Sequence, residues 1–187
     1  MPEPSPSKAG LAIGAMFFAF FGAIWLVWWC IQAYGASPGI LALIAAGGGV
    51  IFVLALRQLS RHRVALAAQA DSPATQRLRR IFKVLNIAQW LVIFAIVLIL
   101  ANTGRSVWIP ASIIFVVGLH FLPLAALFGY RWHYVTGSAL VLLAVTYPFV
   151  SRGGPANPVG QLGTGLILWA SALGALVANP SVERTAS

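Results

Sequence analysis

Long apolar stretches, separated by short polar ones, dominate the pattern of this sequence. A helix needs about 20 mostly apolar residues to cross the hydrocarbon core of a bilayer. The stretches that reach or approach this length are 10–34, 38–57, 81–102, 108–130, 133–150 and 158–178. We therefore predict an all-α fold, an integral membrane bundle of six transmembrane helices that forms a single domain over 10–178.

Turn-forming and charged residues separate these stretches. YGASPG (34–39) reads as a tight turn, SRGGPANP (151–158) as a glycine- and proline-rich loop, and GYRWH (129–133) as a short charged loop. The ends of the chain are polar. We predict a disordered N-terminal head over 1–9 and a short C-terminal tail over 179–187.

The segment 58–80 is the one long connection that the pattern predicts, and it is rich in arginine. Ser72 followed by Pro73 is typical of a helix start, so the third helix is expected to begin before the membrane does. This would lay basic side chains along the headgroups, where anionic lipid attracts each of them by about 1 kcal/mol. These side chains are Arg77, Arg79, Arg80 and Lys83.

Composition excludes a water-soluble domain and fixes an orientation. Hydrophobic residues make up 60% of the chain and charged residues 8%, against about 25% charged in soluble domains. The net charge of +9 comes from cations that lie between apolar stretches, which indicates membrane topology rather than nucleic-acid binding. With the N-terminus in the cytoplasm, only Arg105 and Arg152 of the 12 Lys and Arg lie outside. We predict a bacterial-type cytoplasmic (inner) membrane protein with both termini cytoplasmic.

Small residues predict where helices approach one another, because backbones in lipid pack closely where side chains are small. Two stripes with four-residue spacing are Ala15, Ala19 and Ala23 in the first stretch and Ala170, Gly174 and Ala178 in the sixth. Gly47–Gly49 at the centre of the second stretch costs about 1 kcal/mol per glycine relative to alanine. Either a neighbour packs against bare backbone there, or the helix bends.

His120 lies near the middle of the fourth stretch, where an ionisable side chain is a functional hypothesis by default. Pro123, three residues later, leaves the carbonyl of Leu119 without its usual helical partner and is expected to bend the helix. On the third stretch Asn86 and Gln89 share one face of the helix, at about the same depth in the membrane as His120. These side chains either form hydrogen bonds between helices or bind a ligand.

A second set of polar residues gathers near the outer ends of the stretches. It either lines an outward vestibule or consists of ordinary interfacial residues. Its members are Gln32, Tyr34, Asn102, Thr103, Ser106, Thr146, Tyr147, Gln161 and Thr164.

The placement of acidic residues argues against several kinds of site. Glu3, Asp71 and Glu183 are the only carboxylates, and all lie outside the apolar stretches. We therefore predict no catalytic triad, no metal site and no cofactor, the three histidines being too scattered to converge. Cys30 is the single cysteine, so the chain has no internal disulfide.

The segment GLHFLPLAALF (118–128), followed by YVTGSALVLL (134–143), resembles a motif of uncharacterised small bacterial multi-pass membrane proteins with a Gly-x-His-Phe-x-Pro segment. The resemblance covers about 110–145 and implies no known activity. It implies that His120, Phe121 and Pro123 act as one unit.

These observations favour a protein that binds or transports a small molecule or lipid through a mid-membrane pocket. The predicted ligand-binding residues are His120, Gln89, Asn86, Pro123 and the nearby Trp90. The alternative is a structural or accessory membrane subunit that packs with partner proteins through its small-residue faces, and a homo-oligomer stays open. An enzyme acting on lipid is the weakest hypothesis, because His120 would have to work with hydroxyls or amides alone.

Overall fold

The computed structural model describes residues 8–68 and 73–178, and within them the chain forms six α-helices. They are α1 (Lys8–Tyr34), α2 (Pro38–Ala68), α3 (Pro73–Asn102), α4 (Ile109–Phe128), α5 (Trp132–Val150) and α6 (Val159–Val177). Short 3-10 turns at Ser106–Trp108 and Gly154–Ala156 precede α4 and α6. Each α-helix contains a segment long and apolar enough to cross a membrane, so the predicted all-α six-span fold is confirmed.

Two turns between helices begin with a glycine at positive φ, although in the first of them Ala36 also has a positive φ, of 63°. Gly35 follows α1 with a φ of 63°, and Gly129 ends α4 with a φ of 61°. Both glycines adopt the left-handed conformation that other residues rarely tolerate. These turns fold α1 back on α2 and α4 back on α5, so each pair is antiparallel.

The connection predicted over 58–80 is largely helical. Helix α2 continues to Ala68, because Val64–Ala68 is dominated by alanine and leucine, which favour helix without needing an apolar environment. Helix α3 begins at Pro73, in agreement with the predicted start, while Ser72 lies outside the described residues. The predicted head and tail segments lie mostly outside them as well.

Basic residues mark one end of the bundle. We name the end where α1 begins and α6 ends the basic end, and the opposite one the distal end. The cations described at the basic end are Lys8, Arg57, Arg61, Arg77, Arg79, Arg80, Lys83 and Arg131. At the distal end the described residues include Arg105 and Arg152.

Glycines set the closest helix crossings. At the crossing of α1 and α6, a Cβ built on Gly165 would lie 2.9 Å from the carbonyl oxygen of Gly22. At the crossing of α4 and α5, a Cβ on Gly137 would lie 2.7 Å from the carbonyl oxygen of Gly118. Both distances are too short for any side chain. The backbones therefore touch directly, as is common where helices associate in lipid.

The glycines of α2 accommodate the indole of Trp169. A Cβ on Gly47 would lie 3.0 Å from this ring, and one on Gly48 3.3 Å from it, whereas Gly49 faces open space. Trp169 Nε1 donates a hydrogen bond across the bundle to the carbonyl oxygen of Ala19, at 3.1 Å. Helix α2 continues unbroken past the glycines. Of the two predicted explanations, close packing is the one observed, with a side chain as the packing partner.

The two predicted small-residue stripes have opposite outcomes. In α1, Ala15 and Ala19 are buried, as expected. In α6, Ala170 and Gly174 are exposed, so that stripe is not a packing face within the bundle. The buried face of α6 consists of Gly160, Gln161, Thr164, Gly165, Leu168, Ala172 and Ala175. This helix has small residues on two faces, and spacing alone does not distinguish them.

Helix α3 stands at the edge of the bundle. It packs chiefly along α4, and 6% of its most apolar 18 residues are buried, against 22–44% in the corresponding segments of the other helices. Its sequence contains no glycine. The ring centroids of Phe82 and Phe128 lie 5.7 Å apart and join α3 to α4 near the basic end.

Candidate functional site

A half-buried stripe runs along the side of α3 that faces α4. Its members are Leu78, Phe82, Leu85, Asn86, Gln89, Ile93, Ile96, Val97 and Leu100. They recur every three or four residues, as one face of a helix does. Asn86 and Gln89 therefore lie on the side of α3 that faces α4. Trp90 lies off the stripe and is 56% exposed.

The contact between Phe82 and Phe128 fixes the register of the antiparallel pair α3 and α4. Moving eight residues (128 − 120) from Phe128 toward the distal end reaches His120, and moving eight from Phe82 reaches Trp90. Gln89 is one residue from that level, which corresponds to about 1.5 Å along the axis. Asn86 is four residues from it, or about 6 Å. Gln89 and His120 thus lie at nearly the same depth, and Asn86 lies about one turn nearer the basic end.

The side chains of His120 and Phe121 point in different directions from α4. The Phe121 ring turns into the bundle, with its centroid 5.3 Å from that of Phe18 and 5.7 Å from that of His133. His120 is half-buried and points about 100° away around the helix, since an α-helix has 3.6 residues per turn. Helix α4 continues through Pro123, which is exposed, to Phe128.

Among the described residues, the side chains of Asn86, Gln89 and His120 make no hydrogen bond. Each amide carries two N–H donors and a carbonyl acceptor, and a neutral imidazole carries one donor and one acceptor. Their hydrogen-bonding capacity is therefore unused within the described residues. We name the region that they form, between α3 and α4, the α3–α4 groove.

A second histidine lies inside the bundle near the basic end. The ring of His133, at the start of α5, contacts those of Tyr130, Phe121 and Phe18 at centroid distances of 4.9, 5.7 and 5.8 Å. Its Nδ1 atom is buried and has no hydrogen-bond partner among the described residues. The sequence predicted a short charged loop over GYRWH (129–133), which includes His133. The aromatic residues around it in GYRWH are the signal that could have indicated burial.

The outer polar set divides into exposed and buried members. Asn102, Thr103 and Thr146 are exposed and bond carbonyls of their own helices at 2.8, 2.8 and 2.7 Å. Gln32, Tyr34 and Ser106 are exposed as well. These exposed members are therefore ordinary interfacial residues, one of the two alternatives that the sequence left open.

Of the buried members, Tyr147 packs α5 against α6. The ring of Tyr147 covers Gly160, and its hydroxyl donates to the carbonyl oxygen of Pro155 at 3.3 Å. Thr164 Oγ1 donates to the carbonyl oxygen of Gly160 at 2.8 Å. Gln161 is 1% exposed, and its Oε1 has no hydrogen-bond partner among the described residues. These residues are a packed interior rather than the lining of an open vestibule.

Comparison with protein-family models, with curated proteins and with solved structures gives no match for this chain. Its six apolar helices of membrane-spanning length make it a polytopic membrane protein. The functional argument therefore rests on the residues of the chain itself.

Proposed function

We propose that this protein binds or transports a small molecule or lipid, which is held in the α3–α4 groove by His120, Gln89 and Asn86. The observation that carries the proposal is the group of three half-buried polar side chains without hydrogen bonds of their own. Polar groups at membrane depth are costly unless they find partners. Trp90 and Pro123 border the groove on its exposed side.

The chemistry of the groove suits an uncharged polar group on an apolar body. Phe82, Leu85 and Ile93 continue the half-buried stripe around the two amides. The described residues include no Asp or Glu, so the groove supplies no carboxylate for a cation. Because α3 packs chiefly on α4, a small displacement of α3 would open the groove sideways to lipid without disturbing the crossings of the other helices.

The proposal includes an orientation in a bacterial-type cytoplasmic membrane. The basic end faces the cytoplasm, since short loops rich in Lys and Arg stay on that side. The distribution of cations between the basic end and the distal end supports this orientation. A membrane-impermeant reagent added outside intact cells should label a cysteine placed at Arg152 and spare one placed at Arg79.

Substituted-cysteine accessibility tests the groove. In a Cys30→Ser background, Gln89→Cys should react with a small water-soluble methanethiosulfonate, because a groove that takes a polar ligand admits water. Ile87→Cys is the control, since Ile87 lies on the same helix, off the stripe and 50% exposed. A thiol facing lipid stays protonated and unreactive. Equal inertness of the two thiols would mean a dry contact and would remove the proposal.

A ligand screen tests the same residues without cysteines. Compounds that raise the unfolding temperature of the wild-type protein should lose this effect in His120→Ala and in Gln89→Ala. Asn102→Ala is the matched control, because it removes an amide from the same helix outside the groove. Stabilisation that is the same in all four proteins would place the ligand elsewhere.

A second function, that of an accessory subunit, is favoured by one observation. Ala170 and Gly174 form an exposed face of small residues on α6, and a Cβ on Gly174 would meet nothing within 4 Å. Such a face suits packing against another spanning helix, from a partner or from a second copy. Gly174→Leu should then abolish crosslinked oligomers in native membranes, and finding only monomers of the wild-type protein would exclude this function.

A further inference from the structure

A cavity of about 500 Å³ opens at the basic end between α1, α2 and α6. It lies away from the α3–α4 groove, on the opposite side of the bundle from α3 in the helix packing order. The described residues that line it are Lys8 from α1, Leu54, Arg57, Gln58, Arg61 and His62 from α2, and Leu176, Val177 and Ala178 from α6.

The lining changes from apolar to basic along the axis of α2. Leu54, Arg57 and Arg61 follow one another at intervals of about one turn, so they share a face of the helix. The rise from Leu54 to Arg61 is about 10 Å at 1.5 Å per residue. Leu54 thus lines the side nearer the membrane interior, and Arg61 lines the side nearer the aqueous phase. Val177, the last residue of α6, lies at the basic end near the level of the arginines.

The charge of the cavity is strongly positive. Lys8, Arg57 and Arg61 contribute three cations, and residues 8–68 and 73–178 contain no Asp or Glu that could pair with them. The C-terminal end of α6 opposes them with a partial charge equivalent to about half an electron. The cations outweigh it, and the walls of a cleft focus their field on whatever enters.

The donors of the cavity suit phosphate. The planar guanidinium groups of Arg57 and Arg61 can each give two parallel hydrogen bonds to phosphate oxygens. His62 Nδ1 donates to the carbonyl oxygen of Gln58 at 2.9 Å, which holds the imidazole in place. In a neutral imidazole Nε2 is then an acceptor, suited to a hydroxyl of the headgroup rather than to the phosphate. A volume of about 500 Å³ accommodates a phosphate diester with its glycerol.

We propose that this cavity binds the headgroup of an anionic phospholipid, with the phosphate between Lys8, Arg57 and Arg61. The acyl chains leave past Leu54 toward the membrane. The apolar side of the cavity is what favours a lipid over free phosphate. Basic pockets between spanning helices at the cytoplasmic face are the places where such headgroups bind, and the basic end faces the cytoplasm in the orientation proposed above. The site does not depend on the α3–α4 groove.

The test titrates the full-length protein, in a neutral maltoside detergent, with dioctanoyl phosphatidylglycerol and counts bound lipid by native mass spectrometry. Each cation near an anionic headgroup strengthens binding by about fivefold. The double variant R57Q/R61Q should therefore bind about thirtyfold more weakly than wild type. R79Q/R80Q is the matched control, since it removes two exposed arginines of the basic end that do not line the cavity. Their expected attraction to anionic lipid needs a charged bilayer surface, which the neutral micelle lacks, so the affinity should change by less than twofold.

Two further ligands show whether the acyl chains and the net negative charge of phosphatidylglycerol are needed for binding. Dioctanoyl phosphatidylcholine and glycerol 3-phosphate should both bind at least tenfold more weakly than phosphatidylglycerol. Equal binding of glycerol 3-phosphate would make this a free-phosphate site, and equal binding of phosphatidylcholine would remove the role of charge. A tenfold gain in affinity in E183Q would instead make the chain's own carboxylate the occupant.

The remaining outcomes are also decisive. Equal losses in R57Q/R61Q and R79Q/R80Q would indicate diffuse attraction to the basic end and would overturn the site. Unchanged affinity in R57Q/R61Q would overturn it as well. The lipid-free unfolding temperature reports whether the double variant folds. If it does not, Arg61→Gln alone should weaken binding about fivefold, and an unchanged affinity in that variant overturns the proposal.

Discussion

Helices α3 and α6 are both apolar enough to span a membrane, yet they sit very differently in the bundle. In its most apolar 18 residues, α6 is 39% buried and α3 is 6% buried. Helix α6 has glycines at positions 160, 163, 165 and 174, and α3 has none. The first three lie against side chains or backbone of neighbouring helices.

This difference follows from the solvent. Lipid tails are as apolar as leucine, so burying an apolar side chain in a membrane bundle gains little. Close backbone contact and interhelical hydrogen bonds decide which helices become central. Helix α6 has both, at Gly165 and at Trp169. Helix α3 has bulky side chains and no glycine, so it stays at the edge.

The largest expected effect on stability comes from removing the indole of Trp169, which packs against Gly47 and Gly48 of α2. Trp169→Ala should lower the free energy of unfolding by about 3 kcal/mol, the lower end of the range for buried aromatics, because unfolded helices regain lipid contacts. Trp90→Ala on α3 should cost under about 1 kcal/mol, since that ring is already exposed. SDS titration, followed by the reactivity of the buried Cys30 thiol, measures both. Equal losses would contradict the contrast between the two regions.

A smaller loss is expected where backbones touch. Gly137→Ala places a methyl group 2.7 Å from the carbonyl oxygen of Gly118, and α4 and α5 must separate, at a cost of about 1–3 kcal/mol. Gly174→Ala has nothing within 4 Å and should be neutral or stabilising by up to about 1 kcal/mol. The same titration separates the two variants. A neutral Gly137→Ala would show that this crossing is looser than described.

Interhelical hydrogen bonds should contribute less. Thr136 and Ser171 join α5 to α6 through their hydroxyls at 2.8 Å. Thr136→Val should cost about 0.6–1.7 kcal/mol, the range found for such bonds in membranes. Thr146→Val on the same helix loses only a bond to its own backbone and should cost less. The reverse order would mean that this contact does not hold α5 on α6.

The smallest effect on stability is expected in the α3–α4 groove. Gln89→Leu should change the free energy of unfolding by less than about 0.5 kcal/mol, because Gln89 has no hydrogen bond to lose. A loss of about 2 kcal/mol or more would show that the amide joins the two helices directly. In that case the interhelical alternative would replace the ligand site.

The sequence predicted those features that depend on length and sign of charge alone. The spans follow from apolar length, and the cations at positions such as Arg57 and Arg131 follow from their exclusion from hydrocarbon. The level shared by Gln89 and His120 followed from residue counting along antiparallel helices.

Features that depend on which helices meet could not be predicted. Ala170 and Gly174 have the same spacing as a packing stripe, but α1 packs on the face that contains Gly165. The cavity between Lys8 and Arg61 joins residues far apart in sequence. The burial of His133 depends on Phe18 of another helix. These contacts join different helices, and no local sequence pattern predicts them.

The central claim is that Gln89 and His120 face each other across the α3–α4 groove. Disulfide formation in native membranes, in a Cys30→Ser background, tests it most directly. The pair Gln89→Cys with His120→Cys should crosslink on mild oxidation, and Ile87→Cys with His120→Cys should not, because Ile87 lies off the stripe. Crosslinking of the second pair at the same or a higher yield, or of neither, would contradict the account.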